Sequence, residues 1–163
     1  MGQVSKFRLF AAGSIVAFAT AACAAGQSTT GPSAASPSTA GGGGTVQVKL
    51  QEWSVLPAAD SAPAGSVTFT VTNTGPEDVH EFVVLKTDLD PGALPTDETG
   101  AVAEEGAGME VIGEIEDVAV GATQELTVTL AAGKYVLLCN IYDETEKESH
   151  YKMGMRTPFT VTE

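Results

Sequence analysis

The chain has 163 residues, with 21 acidic against eight basic side chains and a formal charge of −13. Once low-complexity ends are set aside, that length supports one domain. The acidity argues against nucleic acid and anionic lipid surfaces as partners, and it suits a basic protein surface or a cation.

Lys6 and Arg8 precede an apolar run, Leu9 to Ala22 (LFAAGSIVAFATAA), which ends in small residues. A basic start, a short apolar stretch and a small-residue end predict an export signal over residues 1–22, too short for a comfortable membrane span. Thr20-Ala21-Ala22 followed by Cys23 resembles a bacterial lipobox, with Thr20 where Leu is usual. Cleavage before Cys23 and lipidation of its thiol would anchor the protein to the outer face of the bacterial cell membrane, since two acyl chains suffice for stable anchoring. A plain secretory signal is the alternative. Ala24 to Gly44 contains only Ala, Gly, Gln, Ser, Thr and Pro. It cannot bury a core and predicts a flexible tether of roughly 25 Å root-mean-square span.

The domain expected over residues 45–163 holds all 21 acidic residues and six of the basic ones, a net −15. Period-two alternation begins at Thr45 to Val55 (TVQVKLQEWSV) and repeats at Ser66 to Asn73 (SVTFTVTN). Val79 to Leu85, Gln124 to Leu130, Lys134 to Ile141 and Thr157 to Thr162 continue it, with Gly and Pro punctuation between. These features predict strands, and no long helical period occurs. Asp88 to Gly113, rich in Gly, Pro and acids, predicts a long loop with one short strand near Met109 to Ile112. The fold class expected is all-β, a sandwich or barrel of about seven or eight strands.

Chemistry concentrates in few residues. The domain has two histidines, His80 and His150, one cysteine, Cys139, and the methionine pair Met153 and Met155 near its end. His80 opens VHEFVVL after the turn NTGPED, and Cys139 closes KYVLLC with Tyr135 and Leu137 on its face. His150 and the methionines lie in the connection to the last strand. Two imidazoles, a thiolate and a thioether form the trigonal-plus-axial set that copper uses for electron transfer. Singly, each has a plainer use: a surface histidine, a small buried cysteine, packing methionines. The acidic run Asp143, Glu144, Glu146 and Glu148 reads as a solvated loop or a weak site for a hard cation.

NTGPEDVHEFVVLKTDL, GKYVLLCN and HYKMGMRTPFTV resemble the exported blue copper proteins, the cupredoxins, in particular their plastocyanin-like and sulfocyanin-like bacterial members. The resemblance covers roughly Val46 to Glu163. It implies a cupredoxin-like Greek-key β-sandwich, one type 1 copper, and His80, Cys139, His150 and Met155 as ligands, with Met153 at a variable position. It also implies an exposed edge on the second histidine. Relatives commonly have four residues between the cysteine and that histidine, whereas ten, Asn140 to Ser149, stand in this chain. The longer loop costs only about 0.8 kcal/mol more in closure entropy.

The function expected is therefore a membrane-tethered copper protein carrying single electrons between redox partners, and no enzyme. Asn140 is a candidate for bracing the ligands from behind. A cytochrome or an oxidase domain with a basic docking surface fits as partner. A copper chaperone or store and a metal-free binding module are the rival readings. A dinuclear copper centre is excluded by the single available cysteine, and a reductase with a second histidine-rich site by the histidine count.

Overall fold

The structure, a computed structural model, describes residues 43–163. The export signal over 1–22, Cys23 and the tether as far as residue 42 lie outside the described residues. Among the described residues no helix is long and apolar enough to cross a membrane.

In chain order the elements are β1 (Gly43–Gln51), β2 (Ser54–Pro57), β3 (Ser61–Pro63), β4 (Gly65–Asn73), β5 (His80–Thr87) and β6 (Met109–Val118). Then come β7 (Thr123–Leu130), β8 (Gly133–Leu138), β9 (Tyr142–Asp143), β10 (Glu148–Ser149), α1 (His150–Met153) and β11 (Arg156–Thr162). One sheet has the order β2-β1-β4-β7 and a second the order β3-β11-β8-β5-β6, while β9 and β10 form a separate hairpin. The β1–β4 and β11–β3 pairs are parallel and the other pairs antiparallel. The all-β sandwich expected is thus the fold. Its seven strands of six or more residues, with β2, account for the number anticipated, and the remaining strands are pieces of two or three residues.

Alternation explains the first sheet. In β4, Val67, Phe69 and Val71 are fully buried. The intervening threonines face outward, where Thr68 and Thr72 hydrogen-bond to Thr127 and Thr123 of β7 at 2.8 and 2.9 Å. Such cross-strand threonine pairs stabilise the exposed face. Phe69 packs on Phe82 and Phe159 of the other sheet, with ring centroids 5.3 and 5.6 Å apart. These three rings tie the two layers at the centre of the core.

β5 and β8 follow a different rule: Phe82 to Leu85 and Tyr135 to Leu138 are continuous apolar runs buried on both sides. Phe82, Val84, Tyr135 and Leu137 face the sandwich core. Val83, Leu85, Val136 and Leu138 form a second cluster with Leu94, Val102 and Tyr151. The segment between β5 and β6 therefore folds back over the outer face of the sheet, and its few apolar residues plug that face. The long loop expected is thus a cover, and the short strand anticipated near Met109 is the ten-residue β6. TVQVKLQEWSV also differs from the single strand expected. It breaks after Gln51 and returns as β2, paired antiparallel with Gln51 opposite Ser54.

Candidate metal centre

Three turns deliver the candidate ligands to one end of the sandwich. The first is NTGPED, organised by the fully buried Asn73. Its Nδ2 donates to the carbonyls of Asp78 (2.7 Å) and Val118 (2.8 Å), and its Oδ1 accepts the Gly75 N–H at 2.9 Å. The turn is thereby clamped to β6, and His80 starts β5 with its side chain on the core face. A register shift between β5 and β6 lies directly after His80, the kind of irregularity that re-aims a side chain beside a site.

Cys139 follows the end of β8 on the same core face as Tyr135 and Leu137, as its alternation requires. Its Sγ accepts the Glu81 N–H at 3.2 Å, which holds the sulfur against the start of β5. The chain then leaves through the β9–β10 hairpin and re-enters at His150, whose N–H donates to the Ile141 carbonyl at 2.9 Å. Ser149 caps the single turn of α1, its Oγ accepting the Lys152 N–H and donating to the Gly100 carbonyl. Gly154 closes that turn at φ +133°, and a Cβ there would sit 3.0 Å from the Trp53 carbonyl oxygen, so glycine is required. The Met155 N–H then donates to the His150 carbonyl, and the Cys139 N–H to the Met155 carbonyl, both at 3.0 Å. Cys139, His150 and Met155 are thus laced together by backbone hydrogen bonds.

At the centre, His80 Nδ1 lies 3.2 Å from His150 Nδ1, and Cys139 Sγ lies 3.4 Å from His150 Nδ1. One ligand atom from each of His80, Cys139 and His150 falls within 4.8 Å of the others. Donors about 2.0–2.3 Å from a metal and spaced in a plane around it would stand about 3.5–3.8 Å apart. The two spacings to His150 Nδ1 are within a few tenths of an ångström of that, and the third side is under 4.8 Å, so the triangle has the size a transition-metal ion needs. Met155 is fully buried in the same cluster as Cys139, whereas Met153 is 44% exposed.

Burial sets the electrostatics. It lowers the His80 pKa, as does the neighbouring His150, against the opposing pull of Glu52 and Asp78. It lowers His150 too, with Asp78, Asp143, Glu148 and Glu52 opposing. Both rings are therefore neutral and offer lone pairs. Burial pushes the Cys139 thiol up to about 12, although backbone hydrogen bonds from Glu81 and Ile141 oppose it. The thiol keeps its proton until a cation displaces it.

Two expectations need correction. The second histidine is nearly enclosed rather than presenting a broad edge: His150 is 2% exposed, and Trp53 packs edge-on against it at 5.0 Å. A cleft of about 400 Å³ lined by Glu77, Asp78, Val79, Asp117, Ile141 and Asp143 reaches this ring from outside. Asn140 makes no hydrogen bond to the candidate ligand side chains among the described residues. Its amide instead pairs both ways with the Val102 backbone (2.5 and 3.1 Å) and donates to Glu104 Oε1 at 2.9 Å, clipping the cover segment to the strand end.

The ten-residue loop is ordered by the β9–β10 hairpin, where Asp143 Oδ1 accepts the Thr145 and Glu146 N–H groups at 2.6 and 2.9 Å. Sequence reasoning missed Glu52 and Trp53, which reach the site from the β1–β2 turn. The only signal was a break in alternation at the chain's sole tryptophan. It also missed Glu81, which forms a carboxylate cluster with Glu104 and Glu114 behind Cys139.

The sequence matches no protein-family model and no curated protein. Among solved structures it is similar to the dithionite-reduced auracyanin of the photosynthetic bacterium Roseiflexus castenholzii. That match has 23% identity over 73% of this chain and 97% of that one, with a TM-score of 0.53. Auracyanin A, a blue copper protein of the green thermophilic photosynthetic bacterium Chloroflexus aurantiacus, aligns at 20% identity over 74% and 100% of the two chains, TM-score 0.49. Rusticyanin from Thiobacillus ferrooxidans aligns at 17% identity over 72% and 76%, TM-score 0.47. The first of these carries the fold assignment: the sandwich is cupredoxin-like.

Proposed function

We propose that this protein is a type 1 copper protein that carries single electrons between redox partners, held at the membrane by a lipid on Cys23. The observation that carries the reading is the convergence of His80 Nδ1, Cys139 Sγ and His150 Nδ1 into one buried triangle. Two imidazole nitrogens and a sulfur, with Met155 as a thioether that would add a weak fourth donor, suit copper better than a hard cation.

When bound, copper would supply a one-electron couple between Cu(II) and Cu(I). The residues do the rest. His80 and His150 would hold the ion through Nδ1, and Cys139 would give up its proton and supply the thiolate. The backbone bonds among Cys139, His150 and Met155 fix these donors to two strands and a turn, so little reorganisation accompanies a change of charge. His80, Cys139, His150 and Met155 are all at most 2% exposed. This burial disfavours a chaperone or store, which must hand its ion over.

Loading the full chain with Cu(II) should give an intense thiolate-to-copper band in the visible region. A colourless Cu(II) form would overturn the electron-transfer reading.

Partner and anchor belong to the same proposal. The acids of the β9–β10 hairpin, Glu144, Glu146 and Glu148, together with those lining the His150 cleft, would dock a basic surface, such as that of a cytochrome or an oxidase domain, and steering of this kind acts on association rate. Transfer to the native partner should then slow steeply with salt, because screening sets in over about 8–10 Å. Neutralising Glu144, Glu146 and Glu148 should flatten that slope. Asp143 is left intact because it braces the hairpin tip. Cys23→Ser should leave the protein as precursor or release it from membranes; mature variant that still partitions with membranes would remove the lipid anchor from the proposal.

A further inference from the structure

Glu52 stands in the turn between β1 and β2, far in sequence from every candidate ligand. Its Oε1 accepts the Asp78 N–H at 2.8 Å and the Glu77 N–H at 3.3 Å. The carboxylate is seated on Gly75, where a Cβ would lie 2.3 Å from Oε2 and 2.6 Å from Oε1. Any side chain at residue 75 would evict it. From that seat Oε1 is 3.8 Å from His80 Nε2, about 0.6–1 Å beyond a normal N–H···O bond. Among the described residues, the buried side-chain polar atoms without a hydrogen-bond partner are Glu52 Oε2 and His80 Nε2. Buried polar groups rarely stay unpaired, and these two belong to side chains that face each other.

We propose that Glu52 is a positioning residue for His80, its carboxylate accepting the Nε2–H and so leaving the Nδ1 lone pair aimed at the triangle. A carboxylate ion only accepts hydrogen bonds, so Nε2 must be the donor. A neutral imidazole has one N–H, so Nδ1 is bare. His80 Nδ1 then accepts across the 3.2 Å contact, which makes His150 the Nδ1–H partner in the metal-free protein. The two histidines therefore differ in tautomer before any metal arrives. A carboxylate behind a ligating imidazole orients the ring and raises its basicity, and loss of such partners typically costs 10–100-fold in metal affinity. This second consequence rests on the copper reading; the tautomer does not.

The test uses the full chain, metal-free and copper-loaded, with Glu52→Gln and Gly75→Ala as variants. Long-range 15N–1H correlation on the metal-free wild type should show His80 as the Nε2–H tautomer and His150 as Nδ1–H. Glu52→Gln keeps one oxygen for the turn and presents its NH2 to His80. It should abolish the preference and weaken Cu(II) by about tenfold more than Cu(I), which raises the potential by about 59 mV. Gly75→Ala displaces the carboxylate without removing its charge and should abolish the same preference. A role confined to bracing residues 75–78 would lower thermal stability and leave both the tautomer and the Cu(II)/Cu(I) affinity ratio unchanged. That outcome overturns the proposal, as does a wild-type His80 carrying its proton on Nδ1. A wild type with the expected tautomers that never turns blue would overturn the copper reading and leave Glu52 in its role.

Discussion

His80 and Glu81 are adjacent in β5 and, by the alternation of the strand, point to opposite faces of the five-stranded sheet. The inner face gathers two imidazoles and a thiol at the end of the sandwich core. The outer face gathers Glu81, Glu104 and Glu114 within 4.8 Å of one another, beside the cover segment. Burial acts on both faces and has opposite chemical results. It keeps the inner histidines neutral and able to bind a metal. It pushes Glu81 up to about 7, with Glu104 and then Glu114 and Glu116 adding repulsion, despite a hydrogen bond from the Asn140 N–H. Glu104 is raised as well, by burial first, against a hydrogen bond from Asn140. Near neutral pH Glu81 is thus partly protonated, which weakens the outer cluster as a competitor for hard cations. One sheet separates a soft donor set from a damped carboxylate set.

The outer face depends most on its cover. Leu94 is 4% exposed and packs with Val83, Leu85, Val136 and Leu138 on the outer face, where its N–H also donates to the Tyr151 hydroxyl at 3.0 Å. Leu94→Ala should cost about 2–5 kcal/mol of unfolding free energy, the usual range for a buried leucine. The inner triangle does not touch this side chain, so copper stoichiometry and the visible band should survive. Chemical denaturation paired with a spectrum of the loaded protein checks both halves. A variant that loses copper while keeping its stability would show that the two faces are not separable.

How much of this division was legible in the sequence depends on range. The inner face was legible because its signals are local: SVTFTVTN alternates, and the spacing of Cys139, His150 and Met155 lies within one loop. Glu52 was not, because what makes it part of the site is Gly75 and two backbone N–H groups some 25 residues away. The cover was not, because Leu94 and Val102 stand as isolated apolar residues among glycines, prolines and acids. Only the two-sided apolar runs of β5 and β8 hinted that something had to lie over them. Tyr151 belongs with these. It follows a candidate ligand, yet it is 1% exposed and its hydroxyl donates to the Pro91 carbonyl at 2.8 Å, so it anchors the cover.

The outer face also responds to pH, with a smaller effect on stability. Glu81 has a folded pKa of about 7, above the ordinary carboxyl value of 4.5. Folding therefore favours its protonated form. The associated stability is fully present below about pH 4.5 and is lost as pH rises through about 7. The full shift would correspond to about 3 kcal/mol, and partial exposure reduces this to about 1–2 kcal/mol. Glu81→Gln in the metal-free protein should match the wild type near pH 4 and exceed it by that amount at pH 8. The histidines titrate in both proteins, so the difference between the two curves reports Glu81 together with its repulsion of Glu104. A constant difference across this range would mean the outer cluster is more solvated than its burial implies.

The smallest change in stability falls on the inner face, at the two methionines. Met155→Leu conserves volume in a packed core and should cost less than about 1.5 kcal/mol. Met153→Leu, at a position 44% exposed, should cost close to nothing. If Met155 is the axial donor, the two variants separate on a different measurement. Replacing a thioether with a hydrocarbon removes a weak donor that tunes the couple. Met155→Leu should therefore shift the reduction potential of the copper-loaded protein by tens of millivolts, roughly a tenfold change in the Cu(II)/Cu(I) affinity ratio. Met153→Leu should leave it unchanged. The Met155 carbonyl accepts the Cys139 N–H, which brings the two residues together in the fold, and Met155 is buried while Met153 is exposed. A potential that moves with Met153 and not with Met155 would mean that the turn at Gly154 opens when metal binds. The inner face would then be the adaptable side of the sheet and the covered outer face the rigid one.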